Sequence, residues 1–221
     1  MKHLLFVALL LIGVVVAAPA YADSFTFTSC HITGGCTDPT ATFGTVTLTQ
    51  SGTSVLFDVV LSNGNRFVET GAGGGMLFVF NDSIAGSTIT SITATLNGSV
   101  VSISGGLSGV TNQPLFQADG TGMWTAGVFC TDSSACNGGS TPNINDLHFT
   151  VTNATIAGLT TTNALGNMFV ADILCGATQP GCTGGLTGPV DVHTTSTPEP
   201  ASLLLLGAGL AGIGIWRRKS A

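Results

Sequence analysis

From Val46 to Leu174 the chain repeats short runs rich in β-branched and aromatic residues, closed by Gly, Asn or Asp, and several of them alternate apolar with polar positions. In DLHFTVT (146–152), Leu147, Phe149 and Val151 fall on one side and His148, Thr150 and Thr152 on the other, the period of a half-buried strand. VTLTQ (46–50), SVLFDVVL (54–61), GMLFVF (75–80), STITSITATL (87–96), SVVSIS (99–104) and NMFVADIL (167–174) suit strands by their β-branched and aromatic content. SNGN (62–65), TGAGGG (70–75) and NGS (97–99) supply turn signals between them. No segment of this region repeats its apolar residues every 3.6 positions, and none recurs at a fixed period of 20 to 50 residues. The expectation is an all-β body of roughly seven to ten strands, an antiparallel β-sandwich or jelly roll.

The two ends break the pattern. Lys2, the apolar run Leu4 to Val16 and the small-x-small triplet Ala20-Tyr21-Ala22 form a signal peptide over residues 1–22, cut after Ala22. The run is 13 residues, short of the roughly 20 a spanning helix needs. At the other end Ala201 to Trp216 is apolar for 16 residues, enough for a single transmembrane helix of roughly 24 Å. Arg217, Arg218 and Lys219 follow as a stop-transfer cluster that the positive-inside rule places in the cytoplasm. Residues 23–185 read as the body and residues 186–197, LTGPVDVHTTST, as a linker, since Pro, Gly and Thr occur there without periodicity.

Charge narrows the function. Between the two end segments the one basic side chain, Arg66, stands against ten acids, a formal charge of −9. Phosphate neutralisation needs several Lys or Arg, so nucleic acid is excluded as a partner. Ser and Thr supply 48 of the 175 residues from 23 to 197, so hydroxyls rather than charges keep the outer sheet faces wet.

Six cysteines lie in this exported region as Cys30 and Cys36, Cys130 and Cys136, and Cys175 and Cys182. An oxidising compartment reads them as disulfides; six cysteines allow 15 connectivities, and the spacing favours neighbours. Each closed loop of about seven residues would add roughly 2 kcal/mol by chain entropy. The spacings fit no zinc pattern built from paired Cys-x-x-Cys units.

Candidates for chemistry are few. His-Glu-x-x-His, Gly-x-Ser-x-Gly and Ser-x-x-Lys are all missing from the sequence, and neither a cofactor nor a metal is expected. His31 stands in a cysteine loop, His148 on an outward strand face and His193 in the linker, each read as a surface histidine. FND (80–82) and NINDLH (143–148) are weak calcium candidates, because no two Asp residues stand at i and i+2. GAGLAG (207–212) matches the dinucleotide fingerprint in letters but lacks the βαβ unit around it. Trp124 is the one body residue suited to stacking on a sugar, and equally suited to filling a core.

Pro198, Glu199 and Pro200 precede the apolar tail, and the two prolines hold the peptide extended around the single carboxylate. Pro-Glu-Pro, a Gly-rich apolar helix and a terminal basic cluster together resemble the PEP-CTERM sorting signal of Gram-negative bacteria. The resemblance covers about 25 residues of the C-terminus. It implies recognition of Pro198, Glu199 and Pro200 by exosortase, a stop-transfer role for Arg217, Arg218 and Lys219, and transient residence in the inner membrane. It also implies association with an exopolysaccharide, biofilm or floc matrix. The resulting expectation is a non-catalytic surface or matrix protein. A carbohydrate-binding module is the alternative, and a secreted hydrolase stands behind it.

Overall fold

A computed structural model of the chain describes residues 21–69, 75–114, 116–118, 120–137 and 144–193. These residues form two large antiparallel sheets. The first sheet runs in the order β1 (Ala22–Phe27), β3 (Gly44–Ser51), β4 (Ser54–Leu61), β13 (Asp146–Thr152), β7 (Thr88–Leu96) and β8 (Ser99–Val100). The second runs β2 (Ser29–Cys30), β15 (Thr187–His193), β14 (Asn167–Leu174), β6 (Met76–Phe80), β12 (Ala126–Cys130) and β9 (Leu107–Val110), with β5 (Arg66–Phe67) also paired to β14. A separate ribbon joins β10 (Phe116–Gln117) to β11 (Met123–Trp124). Burial alternates along β1, β3, β4 and β13 of the first sheet, whereas β6, β12, β14 and β15 of the second are buried along most of their length.

The expected alternation holds residue by residue in β13, where Leu147, Phe149 and Val151 are buried. Register brings Phe149 opposite Phe57 of β4, and the two rings stack with centroids 4.5 Å apart. Across the interior Phe57 meets Phe80 at 5.0 Å, and Phe78 stacks on Phe169 at 5.9 Å, so both sheets share one aromatic core. Each such ring contributes roughly 1.5–3 kcal/mol by burial, and aromatic pairing adds about 0.5–1.5 kcal/mol.

Two segments depart from the sequence reading. SVVSIS pairs with β7 only at Ser99 and Val100; Val101 still donates its N–H to Ala94 O, and the chain then turns away toward β9. Residues 186–197 are not all linker. Thr187–His193 form β15, paired with β14 from Leu174↔Thr187 to Asn167↔His193, and Val190 and Val192 lie in the core. Gly188 and Pro189 at its start, and an Asp between the two valines, disguise the strand in the sequence. A proline is tolerated there because it lies near the strand's first residue.

β1 starts at Ala22, one residue before the expected cut, which would leave Asp23–Phe27 of the strand in place. Residues 1–20, residues 194–197 and the tail from Pro198 lie outside the described residues, the expected transmembrane helix among them. No helix within the described residues is long and apolar enough to cross a membrane.

Chain direction sorts the loops between two ends. β1 passes into β2, which runs antiparallel to β15, so Ala22 and His193 lie at one end of the sandwich. β12 and β14 are both antiparallel to β6 and finish at the opposite end, where β15 begins and β2 stops.

Candidate functional sites

The far end, opposite Ala22 and His193, carries all six cysteines, bonded as the spacing favours: Cys30–Cys36, Cys130–Cys136 and Cys175–Cys182, with Cα separations of 5.8, 6.2 and 6.2 Å. These loops are also stitched to one another. Buried Asn65 accepts the Gly176 N–H at 2.9 Å and donates to Gln179 Oε1 at 2.7 Å, while Thr178 Oγ1 donates to Asn63 O. The approach is close enough that a Cβ on Gly176 would lie 2.3 Å from Asn63 O, so the position admits glycine alone. Thr37 donates through its N–H to Gly181 O, tying the first cysteine loop to the third.

Glu69, the body's single glutamate, was not singled out by the sequence. It is 4 % exposed and holds the Cys130–Cys136 loop from both sides. Oε1 accepts the Cys130 N–H at 2.6 Å, and the Glu69 N–H donates to Cys136 O at 2.8 Å. Burial pushes its carboxyl above the ordinary glutamate value, against the opposing pull of the Cys130 N–H. Asp38 and Asp132 at the same end go the other way, held below the usual range by hydrogen bonds from Thr40 and from Ser134.

The three histidines of the body find partners the sequence could not pair. His31 Nε2 lies 2.6 Å from Oδ2 of Asp191, which is completely buried on β15, and 3.4 Å from Ser29 Oγ. Ser, His and Asp thus meet, but through the same ring nitrogen. A relay needs the serine and the aspartate on opposite nitrogens of the imidazole. His148 and Asp58 sit side by side on the outer face of the first sheet, 3.1 Å apart. His193, placed in the linker by the sequence, ends β15 and bonds Asn167 Oδ1 through Nδ1 at 2.9 Å.

Trp124 is completely buried and cannot offer a face to a sugar, which overturns its reading as an exposed platform. Its ring packs on Val79 and Val170, covering part of the second sheet's outer face. Nε1 donates to Thr121 Oγ1 at 3.3 Å, and Thr121 O accepts the side-chain amides of Asn163 and Asn167 at 2.7 and 2.8 Å. The alternation that buries Trp124 exposes its neighbour Met123.

The calcium candidates are engaged internally. Asp82 accepts the Ile84 N–H at 2.9 Å and the Ser87 hydroxyl, and Asp146 accepts the Thr95 hydroxyl at 2.7 Å. Among the described residues no three metal-ligating side chains converge.

Comparison with known families matches residues 196–219 to the PEP-CTERM protein-sorting motif. Pro198, Glu199 and Pro200 lie near the start of that match, and Arg217, Arg218 and Lys219 close it. No curated protein and no solved structure matches the chain. The motif marks an exported protein, sorted to the cell surface by way of exosortase.

Proposed function

From the sorting motif at residues 196–219 we propose that the body is a non-catalytic component of the cell surface or of an exopolysaccharide matrix, delivered there by exosortase cleavage near Pro198-Glu199-Pro200. The observation that carries the reading is the motif itself. The body is consistent with a passive role. Its buried polar groups Asn65, Glu69 and Asp82 serve loops and turns, and the Ser29, His31 and Asp191 cluster lacks the geometry of a relay. Stability in an oxidising exterior fits the three disulfides. With Trp124 enclosed, the carbohydrate-binding reading loses its one aromatic platform.

The test is the rate of tail processing. Glu199→Ala keeps both prolines and removes the recognition peptide's only charge. A charge-assisted hydrogen bond is worth roughly 1.5–3 kcal/mol, so conversion to the shorter form should slow about ten- to a hundredfold. Pulse-chase immunoblotting in the native host reads this directly. Equal rates for wild type and variant would show that the carboxylate is not read, and no shorter form in wild type would reduce the tail to a permanent anchor.

A further inference from the structure

Two of the three disulfides meet through the loops they close. Thr37, the residue after Cys36, donates its N–H and its hydroxyl to Gly181 O at 2.9 and 3.0 Å, and Gly181 is the residue before Cys182. A Cβ on Gly35 would lie 2.9 Å from Cys182 Sγ, so the backbone beside Cys36 lies directly against that sulfur. A Cβ on Gly181 would lie 2.4 Å from the backbone nitrogen of Asp38, so the third loop is held equally close from its own side. Two glycines thus bring the end of the Cys30–Cys36 loop against the end of the Cys175–Cys182 loop. The Cys130–Cys136 bridge is held by Glu69 instead, and both its cysteines are buried.

The other two cysteines of these loops cannot meet. Cys30 stands opposite Val190, and Val190 opposite Ala171, while Cys175 follows the last residue of β14 with its N–H still bonded to Leu186 O. The four positions from Ala171 to Cys175 and the two strand spacings from β2 to β14 separate Cys30 from Cys175 by roughly 14 Å along the sheet and roughly 10 Å across it. A disulfide spans at most about 7 Å between Cα atoms. Pairing Cys36 with Cys182 therefore leaves Cys30 and Cys175 unbonded, and the oxidised chain keeps its neighbour pairs.

Access decides where a reductant enters. Cys36 is exposed, Cys30 and Cys182 are half-buried, and Cys175 is buried. Exchange proceeds by attack of a thiolate on a reachable sulfur. Neither loop contains Lys or Arg to hold a thiolate, so contact between the loops is what favours transfer from one to the other.

We propose that Cys36 and Cys182 form a thiol–disulfide exchange site whose substrate is a dithiol, and that reduction at Cys36 is passed on to the Cys175–Cys182 bridge. A thiolate of the dithiol attacks Cys36 Sγ, the Cys30–Cys36 bond breaks, and Cys30 leaves as a thiolate and takes up a proton. The second thiol of the reductant displaces Cys36 and closes the reductant to a disulfide. The Cys36 thiolate then attacks Cys182 Sγ: the Cys36–Cys182 bond forms, the Cys175–Cys182 bond breaks, and Cys175 leaves and is protonated. Two electrons pass from the dithiol to the chain, and the two protons it gives up end on Cys30 and Cys175. Each loop loses its own staple, and a single bridge joins the two loops. The exchange goes beyond the sorting reading and does not depend on it.

Limiting dithiothreitol, added to the native protein isolated from its host, tests the site; acid quenching, alkylation of free thiols and peptic mapping by mass spectrometry read the result. Peptides joining Cys36 to Cys182 should appear, with Cys30 and Cys175 alkylated. Buried sulfurs react more slowly, so opening of Cys130–Cys136 should lag on the order of tenfold. Cys30→Ser supplies a free Cys36 thiol without any reductant, and that variant should carry the same cross-link and a free Cys175. Cys36→Ser should keep Cys175–Cys182 closed at the dithiothreitol concentration that opens it in wild type. Reduction of Cys30–Cys36 with Cys175–Cys182 left closed would overturn the proposal, as would Cys130–Cys136 opening first or a new link made by Cys30 in place of Cys36. So would a Cys36→Ser protein that loses its Cys175–Cys182 bridge as fast as wild type, because the reductant would then reach Cys182 unaided. The wild-type map decides the matter by itself if either variant fails to fold.

Discussion

The two sheets face the same core but hold themselves together by different means. The central strands of the first, β3, β4, β13 and β7, are seven to nine residues long, with registers running almost the whole length. No disulfide touches this sheet, and on its outer face Thr47, Asp58, His148 and Thr93 lie in one row across four strands, with no element packed over them among the described residues. The second sheet includes strands of two, four and five residues, its outer face is partly covered by the β10–β11 hairpin, and its loops carry all three disulfides. Long paired strands bury enough side chains to fix their own register. Short strands separated by glycine-rich loops bury less per residue ordered, and local cross-links offset the difference.

The largest test of that contrast is Trp124→Ala. Emptying a buried tryptophan site costs about 3–5 kcal/mol. Trp124 belongs to a small cluster with Val79 and Val170, outside the main core, so release of the hairpin limits the loss to about 3 kcal/mol. At roughly 2–4 °C per kcal/mol the melting temperature should fall by roughly 6–12 °C, with β3, β4 and β13 keeping their exchange protection. A loss of protection spread evenly over both sheets would erase the distinction between them.

Removal of one staple comes next. Replacing Cys175 and Cys182 together by Ser should cost about 2 kcal/mol and open residues 175–186 and the 62–65 turn bonded to them. Calorimetry gives the cost and exchange gives its location. An unchanged melting temperature would mean that the Asn65 hydrogen bonds suffice without the bridge.

The smallest effect is the pH dependence of Glu69. Its folded-state pKa is raised above 4.5 by burial, so its stabilising contribution is complete below about pH 4.5 and is lost as pH rises through the folded value. Glu69→Gln keeps an acceptor for the Cys130 N–H and removes the ionisation. The variant should be more stable than wild type at pH 7, and the difference should vanish on acidification below about pH 4.5. Asp38 and Asp132 titrate in both proteins with the opposite sign, losing stability as pH falls through their lowered values, so the difference between the two curves isolates Glu69. A constant difference at every pH would assign the effect to packing instead.

Legibility in the sequence followed strand length. SVLFDVVL, DLHFTVT and NMFVADIL coincide with β4, β13 and β14 in their limits: half-buried β4 and β13 write a period of two into the chain, while β14, buried along most of its length, shows as an apolar run. Two-residue strands such as β2 and β5 hold too few residues to show a period, and AGVFC of β12 is short and carries a glycine. β15 was hidden differently: Asp191 reads as a solvated acid until His31, 160 positions away, is seen beside it.

By itself, then, the sequence determined what depends on neighbours along the chain: the all-β class, the disulfide partners six or seven residues apart, and the sorting motif at 196–219. Loop closure, side-chain alternation and a contiguous recognition peptide are local properties, legible wherever they occur. The tertiary structure alone decided the burial of Trp124, the pairing of His31 with Asp191, and the clamp of Glu69 on the second disulfide loop. Each joins residues remote in sequence, and their environment is set by the order in which strands pair, which local pattern leaves open.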